Sequence, residues 1–179
     1  MAIQTFGQTG DGSNTGTSSA DANLANRSTE ANSSPASNGT LVSVQARLWL
    51  SAAGSSLAQA ALWDSSGNLL ATSGEITITN TTEQELTFTF TGGNAISLTA
   101  GTGYTYGVMW KDPGTQNITW SRQATASTSL KNNVAYVTGS PQNPIGSSTV
   151  SGPVDMYVKY DDGGGGATAH NLTLLGVGS

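Results

Sequence analysis

The chain has 179 residues, a length that suits one domain with a sizeable core. Only 9% of them are Asp, Glu, Lys or Arg, against about 25% in an average soluble domain. The net charge is -5 and the six basic residues are scattered, which excludes the basic face that DNA or RNA requires and the polybasic segment that anionic lipid requires.

There are no cysteines, so disulfides and thiolate metal sites are excluded as well. Solubility falls to Ser, Thr, Asn and Gln. With 23 Gly, those residues favour strands and turns over helices. The start, Met1 to Gly7, has neither a basic n-region nor an apolar h-region, so synthesis in the cytoplasm is expected. No apolar run approaches membrane-spanning length, and no membrane insertion is expected.

Residues 1–40 are dominated by Ser, Thr, Asn and Gly, with Ile3, Phe6 and Leu24 as the large apolar side chains after Met1. A segment this poor in apolar groups does not offset its own ordering entropy. It is expected to be an extended polar arm held by neighbouring chains.

The core is expected over 41–161. From Leu41 to Ser51 the chain alternates, with Val42, Val44, Ala46, Leu48 and Leu50 on one face and Ser43, Gln45, Arg47 and Trp49 on the other. That marks a half-buried antiparallel strand. Strands at 57–64 and 68–73 flank Asp64-Ser65-Ser66-Gly67-Asn68, whose short polar side chains and Gly read as a hairpin turn. Further strands are expected at 75–79, 84–91 (Leu86, Phe88 and Phe90 facing in), 95–98, 103–111 and 117–122.

The stretch 123–152 is less regular, with a strand at Val134–Val137 and prolines at 141 and 144 that argue against a central strand. Pro153 to Asp161 alternates again, with Tyr157 and Lys159 on its polar side. Eight or more short strands imply an all-β, antiparallel β-sandwich, jelly-roll-like, with helix nearly absent. Beyond it, Asp162 to Gly166 reads as a flexible linker. It leads to Leu172, Leu174, Leu175 and Val177, either a last strand of the sandwich or a docking strand for another subunit's sheet edge.

Val44–Trp49, Ala61–Asp64, Gly67–Ala71, Leu86–Phe88 and Leu98–Tyr104 together resemble a family of jelly-roll domains of unknown function found, often in tandem, in large secreted bacterial proteins. The match covers about a third of the chain in the family's order. Where that family carries Gly-Trp, this chain has Glu83-Gln84-Glu85. The resemblance implies a sandwich with a binding or structural role and brings no catalytic residues. By layout alone (polar arm, no cysteine, one sandwich, Gly-linked tail) the chain is also similar to bacteriophage head-decoration, fibre or tail-associated proteins.

No reactive constellation stands out. His170, the single histidine, lies beyond four glycines, where no rigid shell would orient it for catalysis, and one His without Cys does not make a zinc site. Glu83 and Glu85 point the same way on an outward edge and read as a solvated pair, whereas a glycosidase needs carboxylates across a cleft. Asp64 with Asn68, and separately Asp155, Asp161 and Asp162, offer oxygens for a structural Ca²⁺, although Asp64–Asn68 also reads as an ordinary turn.

Trp110 and Trp120 fall on apolar faces as core, and Trp63 is ambiguous. Trp49, beside Arg47 on the polar face, is covered by its own chain, buried against a subunit or stacked on a ligand; Tyr157 poses the same choice. Six Asn-X-Ser/Thr triplets are close to chance in so Asn-rich a chain.

The reading that results is a non-enzymatic virion subunit, made in a host cytoplasm, homo-oligomeric and tethered to other virion subunits by its termini. The alternative is a carbohydrate-binding module at a cell surface or phage host-contact structure, with a cell-surface glycan as partner.

Overall fold

The computed structural model describes residues 2–10, 12–124, 128–142 and 148–164. Among these residues are fourteen strands and one short 3-10 turn. They are β1 (Ile3–Gly7), β2 (Asn14–Ser18), β3 (Ala22–Asn26), β4 (Gly39–Leu50), β5 (Ser56–Trp63), β6 (Leu69–Thr72), β7 (Ile76–Ile78), β8 (Glu85–Thr89), β9 (Ser97–Leu98), β10 (Thr105–Trp110), β11 (Ile118–Arg122), β12 (Thr128–Asn132), β13 (Ser148–Ser151) and β14 (Met156–Asp161).

Two antiparallel sheets pack as a sandwich. The first runs β1-β14-β4-β11-β2, with β8 and β9 also on β4; the second runs β13-β12-β3-β10-β5-β6, with β7 also on β5. The expected fold class is thus the observed one.

The alternation read in β4 is what builds the core. Val44, Ala46, Leu48 and Leu50 are fully buried. They face Leu24, Ala58, Ala60, Leu62, Val108 and Trp110 of the second sheet. Val42 departs from the expected face. The β4–β14 pairing shifts register between Lys159 and Tyr160, and Val42 is the extra residue and only half-buried. Trp110 and Trp120 meet at 5.6 Å between the sheets, as core. Each such buried large side chain contributes about 1.5–3 kcal/mol relative to exposure.

The largest correction concerns residues 1–40. They are not an extended arm: β1 pairs β14, β2 pairs β11, and β3 lies between β10 and β12 inside the second sheet. Every residue of β3 is buried. Phe6 sits among Tyr104, Tyr106 and Tyr160, with ring centroids 5.8–6.2 Å apart. Residues 27–38 are fixed too, because Tyr160 Oη accepts from Ala36 N at 3.2 Å and Tyr104 N donates to Ser33 O at 3.0 Å. The physical reason is that neighbouring strands supply the apolar mass this segment lacks. Ladder hydrogen bonds meanwhile satisfy its backbone.

Asn26 shows how a polar residue is held in the interior. Its Nδ2 donates to Val154 O at 2.8 Å and Tyr106 Oη at 3.3 Å. Its Oδ1 accepts from Ser129 Oγ at 2.8 Å and Val154 N at 2.9 Å. All four bonding positions are used, and the residue joins β3, β10, β12 and the entry to β14.

The irregular stretch is also corrected. Val134–Val137 is not a strand, and Val137 is exposed. Residues 133–142 instead form a strap tied to the outer face of the second sheet. Gly139 N donates to Gln59 Oε1 at 2.9 Å, Tyr136 N to Asp21 Oδ2 at 2.7 Å, and Asn23 Nδ2 to Gln142 O. Glu75 Oε2 accepts from Tyr136 Oη at 2.7 Å and Thr138 Oγ1 at 2.8 Å.

The Tyr136 bond, then the Thr138 bond, holds the Glu75 carboxyl below its ordinary value of 4.5. Burial first, then Glu75, pushes the Tyr136 phenol up. A lowered carboxyl pKa means the tie is fully present above that ordinary value and is lost as pH falls through the folded value. Tyr136 and Thr138 resonances are therefore expected to move toward solvent-like positions as pH is lowered below the ordinary carboxylate range while the sandwich stays folded. Glu75→Gln should produce much of the same change at neutral pH.

Candidate functional site

β4 carries Ser43, Gln45, Arg47 and Trp49 outward. Register sets their neighbours: Lys159 opposite Ser43, Tyr157 and Thr87 flanking Gln45, Glu85 opposite Arg47, Thr119 opposite Trp49. The sequence-derived candidates Trp49, Arg47 and Tyr157 therefore share one outer face, that of the first sheet, and all three are half-buried.

Hydrogen bonds organise this face. Tyr157 Oη donates to Glu85 Oε1 at 3.0 Å, and Arg47 Nη1 meets Glu83 Oε1 at 3.2 Å. Thr87 Oγ1 donates to Gln45 Oε1 at 2.7 Å, and Gln45 Nε2 to Ser43 Oγ at 2.9 Å. Lys159 Nζ stands 5.6 Å from the Tyr157 ring centroid. Burial, then the bond to Glu85, pushes the Tyr157 phenol up to about 12. It stays a neutral donor across the physiological range.

Glu83 lies just before β8 rather than on it, so the two glutamates are not a same-strand pair. One pairs with Arg47 and the other with Tyr157. The sequence gives no sign of these partnerships, because β4, β8 and β14 are brought together only by the sheet.

An exposed ion pair contributes little in water. Arg47→Ala is therefore expected to change stability by no more than about 1 kcal/mol. Trp49→Ala and Tyr157→Ala should likewise leave a cooperative melt, as checked by thermal denaturation.

The remaining candidates are placed as follows. Asp64 closes the β5–β6 hairpin: Oδ1 accepts from Ser66 N at 2.9 Å and Asn68 N at 2.8 Å, and Oδ2 from Asn68 Nδ2 at 2.7 Å. Asn68 thus turns its amide nitrogen, not its oxygen, toward Asp64. The Asn68 side chain and backbone bonds hold that carboxyl below its usual range.

Asp155 is buried and accepts from Gly12 N, Ser121 Oγ and Gln123 Nε2, each at 2.6 Å. It locks β2, β11 and β14 together. Asp161 and Asp162 accept from Gly163 N and Gly164 N at 3.0 and 2.9 Å. Among the described residues no group of three or more His, Cys, Asp or Glu is placed to hold a metal. Leu172, Leu174, Leu175, Val177 and His170 lie outside the described residues.

The second sheet's outer face differs. Asn23, Gln59, Ala61, Trp63, Thr105 and Met109 are all buried there, and the strap is tied across it. Trp63, Ala25 and Ala61 form a small cluster apart from the main core.

The class these features define is an all-β, two-sheet antiparallel sandwich with a strap tied across the outer face of its second sheet. No family model and no curated protein matches the chain. The likeness to secreted bacterial jelly-roll domains therefore stands on residue pattern alone. Two solved structures are similar at a distance: infectious bursal disease virus, Gx strain (TM-score 0.34, 11% identity), and a mutant VP2 protein of infectious bursal disease virus in derived T=1 particles (TM-score 0.33, 14% identity). Each alignment covers 90% of this chain but 36% of the other, so this chain spans about a third of their length.

Proposed function

We propose that this chain is a non-enzymatic structural subunit of a virion, a capsid-decoration, fibre or tail-associated sandwich, that works by contact through the outer face of its first sheet. The observation that carries the choice of surface is the asymmetry between the two outer faces. One is tied under the chain's own strap. The other presents half-buried Trp49 and Tyr157 within a rim of Arg47, Glu83, Glu85 and Lys159.

Aromatics supply contact area at low entropic cost, and a polar rim supplies specificity. The virion context is supported by layout: a cysteine-free sandwich of low charge whose β1 and β14 pair within one sheet. Repetition of such a block in an oligomer multiplies weak contacts by effective concentration.

Mass spectrometry of purified particles from the source should find the chain in many copies per particle. Trp49→Ala with Tyr157→Ala should reduce incorporation about tenfold or more while the purified variant stays folded. Absence of the chain from particles contradicts the reading.

A second reading is favoured by one feature of the same face. Trp49 and Tyr157 share a sheet face with the exposed hydroxyl of Thr87, and aromatic rings beside a hydroxyl also suit a neutral glycan. A glycan array probed with the assembled protein separates the two: hits lost on Trp49→Ala support the carbohydrate module, and no hits count against it.

A further inference from the structure

Edge strands carry unpaired backbone groups, and a sheet's free edge is normally blocked by a charge, a bulge or a covering side chain. Three edges of this sandwich are blocked in that way. On β8, Glu85 is exposed and Thr89 O accepts from Gly74 N at 3.1 Å. On β6, the pairing with β5 shifts register between Leu62 and Trp63, and Thr72 N donates to Asn94 Oδ1 at 3.3 Å. On β2, Arg122 Nε donates to Thr15 O at 3.2 Å.

β1 has none of these devices. Its sequence, Ile3-Gln4-Thr5-Phe6-Gly7, holds no charge and no proline, and it pairs with β14 without a bulge. Asp162 N donates to Ala2 O at 3.2 Å and Gln8 N to Met156 O at 2.8 Å. Even-numbered residues thus turn their backbone to β14, while Ile3, Thr5 and Gly7 turn N–H and C=O away from it. Gly7 is buried, but Ile3, Gln4 and Thr5 are exposed, Ile3 by 52%. Among the described residues, the outward backbone groups of Ile3 and Thr5 have no partner.

We propose that two copies of this chain join their first sheets at this edge, β1 against β1 in antiparallel register, with Gln4 facing Gln4 across a two-fold axis. A second copy is the occupant because the exposed stretch is complementary to itself. The register sets Ile3 of each copy opposite Thr5 of the other. Each such pair exchanges both its N–H···O bonds, so no outward group of the two residues is left over. Ile3 and Thr5 are both β-branched and meet on one face, a favourable cross-strand pair. Charge is complementary too. Asp161 lies beside Ile3 and Lys159 beside Thr5. Each row across the joined sheet therefore has Asp161 at one end and the second copy's Lys159 at the other, and no row holds like charges. The contact is small, so the dimer is weak. It lies apart from Trp49 and does not rest on the virion reading.

Sedimentation of the purified full chain from about 1 µM to about 1 mM should show a monomer–dimer equilibrium with a Kd of about 10–500 µM. Thr5→Pro removes the outward N–H without touching the β14 ladder, and Ile3→Lys sets a charge on the edge. Each should weaken the dimer about tenfold or more with the melting temperature held. Trp49→Ala should leave the dimer unchanged, which separates this edge from the contact face proposed above. Register is read from introduced cysteines, since the chain has none of its own. Gln4→Cys brings the two Cα atoms about 4.5 Å apart, within disulfide reach, and should crosslink under mild oxidation. Thr5→Cys, about 7–8 Å from its mate, should crosslink at least about tenfold more slowly. If Thr5→Pro does not fold, Ile3→Lys and Gln4→Cys decide. A chain still monomeric at about 1 mM overturns the proposal. So does a dimer that neither edge variant weakens, and so does faster crosslinking through Thr5→Cys than through Gln4→Cys. Protection of the Ile3 and Thr5 amides from exchange that does not depend on concentration also overturns it, because the chain's own segment then covers the edge.

Discussion

Deletion of residues 2–26 is expected to leave a chain that does not fold. The cut removes three strands, and the consequences differ for each. Without β1, β14 loses its outer partner and Phe6 leaves the ring cluster of Tyr104, Tyr106 and Tyr160. Without β2, β11 becomes an edge and Asp155 loses the Gly12 amide. Loss of β3 matters most, because it is an interior strand: both β10 and β12 lose their ladder to it, and the second sheet is cut in two.

A domain's entire net stability is about 5–15 kcal/mol, and a fully buried interior strand cannot be removed within that margin. Circular dichroism and a thermal melt check this. The expected result is loss of the cooperative transition. A truncated chain that melts near the full-length temperature contradicts the placement of β3.

The second large effect is expected at Asn26. Asn26→Leu fills a similar space but removes every polar contact at that point. Val154 N, Val154 O and Ser129 Oγ all lose their bond to Asn26 in the buried interior. Val154 N keeps Ser129 Oγ at 3.0 Å, and Ser129 Oγ keeps Gly152 O at 3.1 Å. Val154 O likewise keeps the Met156 amide at 2.7 Å, so each of these groups retains one partner. Four buried hydrogen bonds are lost at about 0.5–1.5 kcal/mol each, so the substitution should cost about 3–5 kcal/mol in total. For a chain of this size that lowers the melting temperature by about 6–20 °C.

The Tyr106 phenol, pushed up to about 12 mainly by burial, remains neutral and also loses its Asn26 contact. Asn26→Asp should be no milder, because it turns the Nδ2 donor into an oxygen facing Val154 O. Asn26 opens an Asn-X-Ser triplet, yet its side chain is wholly buried, so that triplet is closed to modification in the folded chain.

What could be read from the sequence divides along one physical line. β4, β8, β10, β11 and β14 carry their own apolar alternation, β5 and β6 flank a recognisable turn, and each is placed to within a few residues. The Asp64–Asn68 turn was legible because its chemistry is local: the carboxylate bonds amides two and four residues on. β1, β2, β3, β12 and β13 were not legible, because their burial comes from partners far along the chain. β2 (Asn14 to Ser18) contains no apolar side chain larger than its Gly, yet it pairs along its full length with β11.

The candidate face was half legible. Alternation put Trp49, Arg47 and Tyr157 on polar faces, and register then made those faces one. The partnerships of Tyr157 with Glu85 and of Arg47 with Glu83 required the sheet order.

Hydrogen exchange, compared between the chain in its assembled particle and the chain alone, tests the central claim most directly. Contact through the first sheet predicts added protection at residues 43–49, 85–89 and 157–159, with the strap at 133–142 unchanged. Added protection confined to the strap side, with the Trp49 and Tyr157 face exchanging equally in both states, would contradict it.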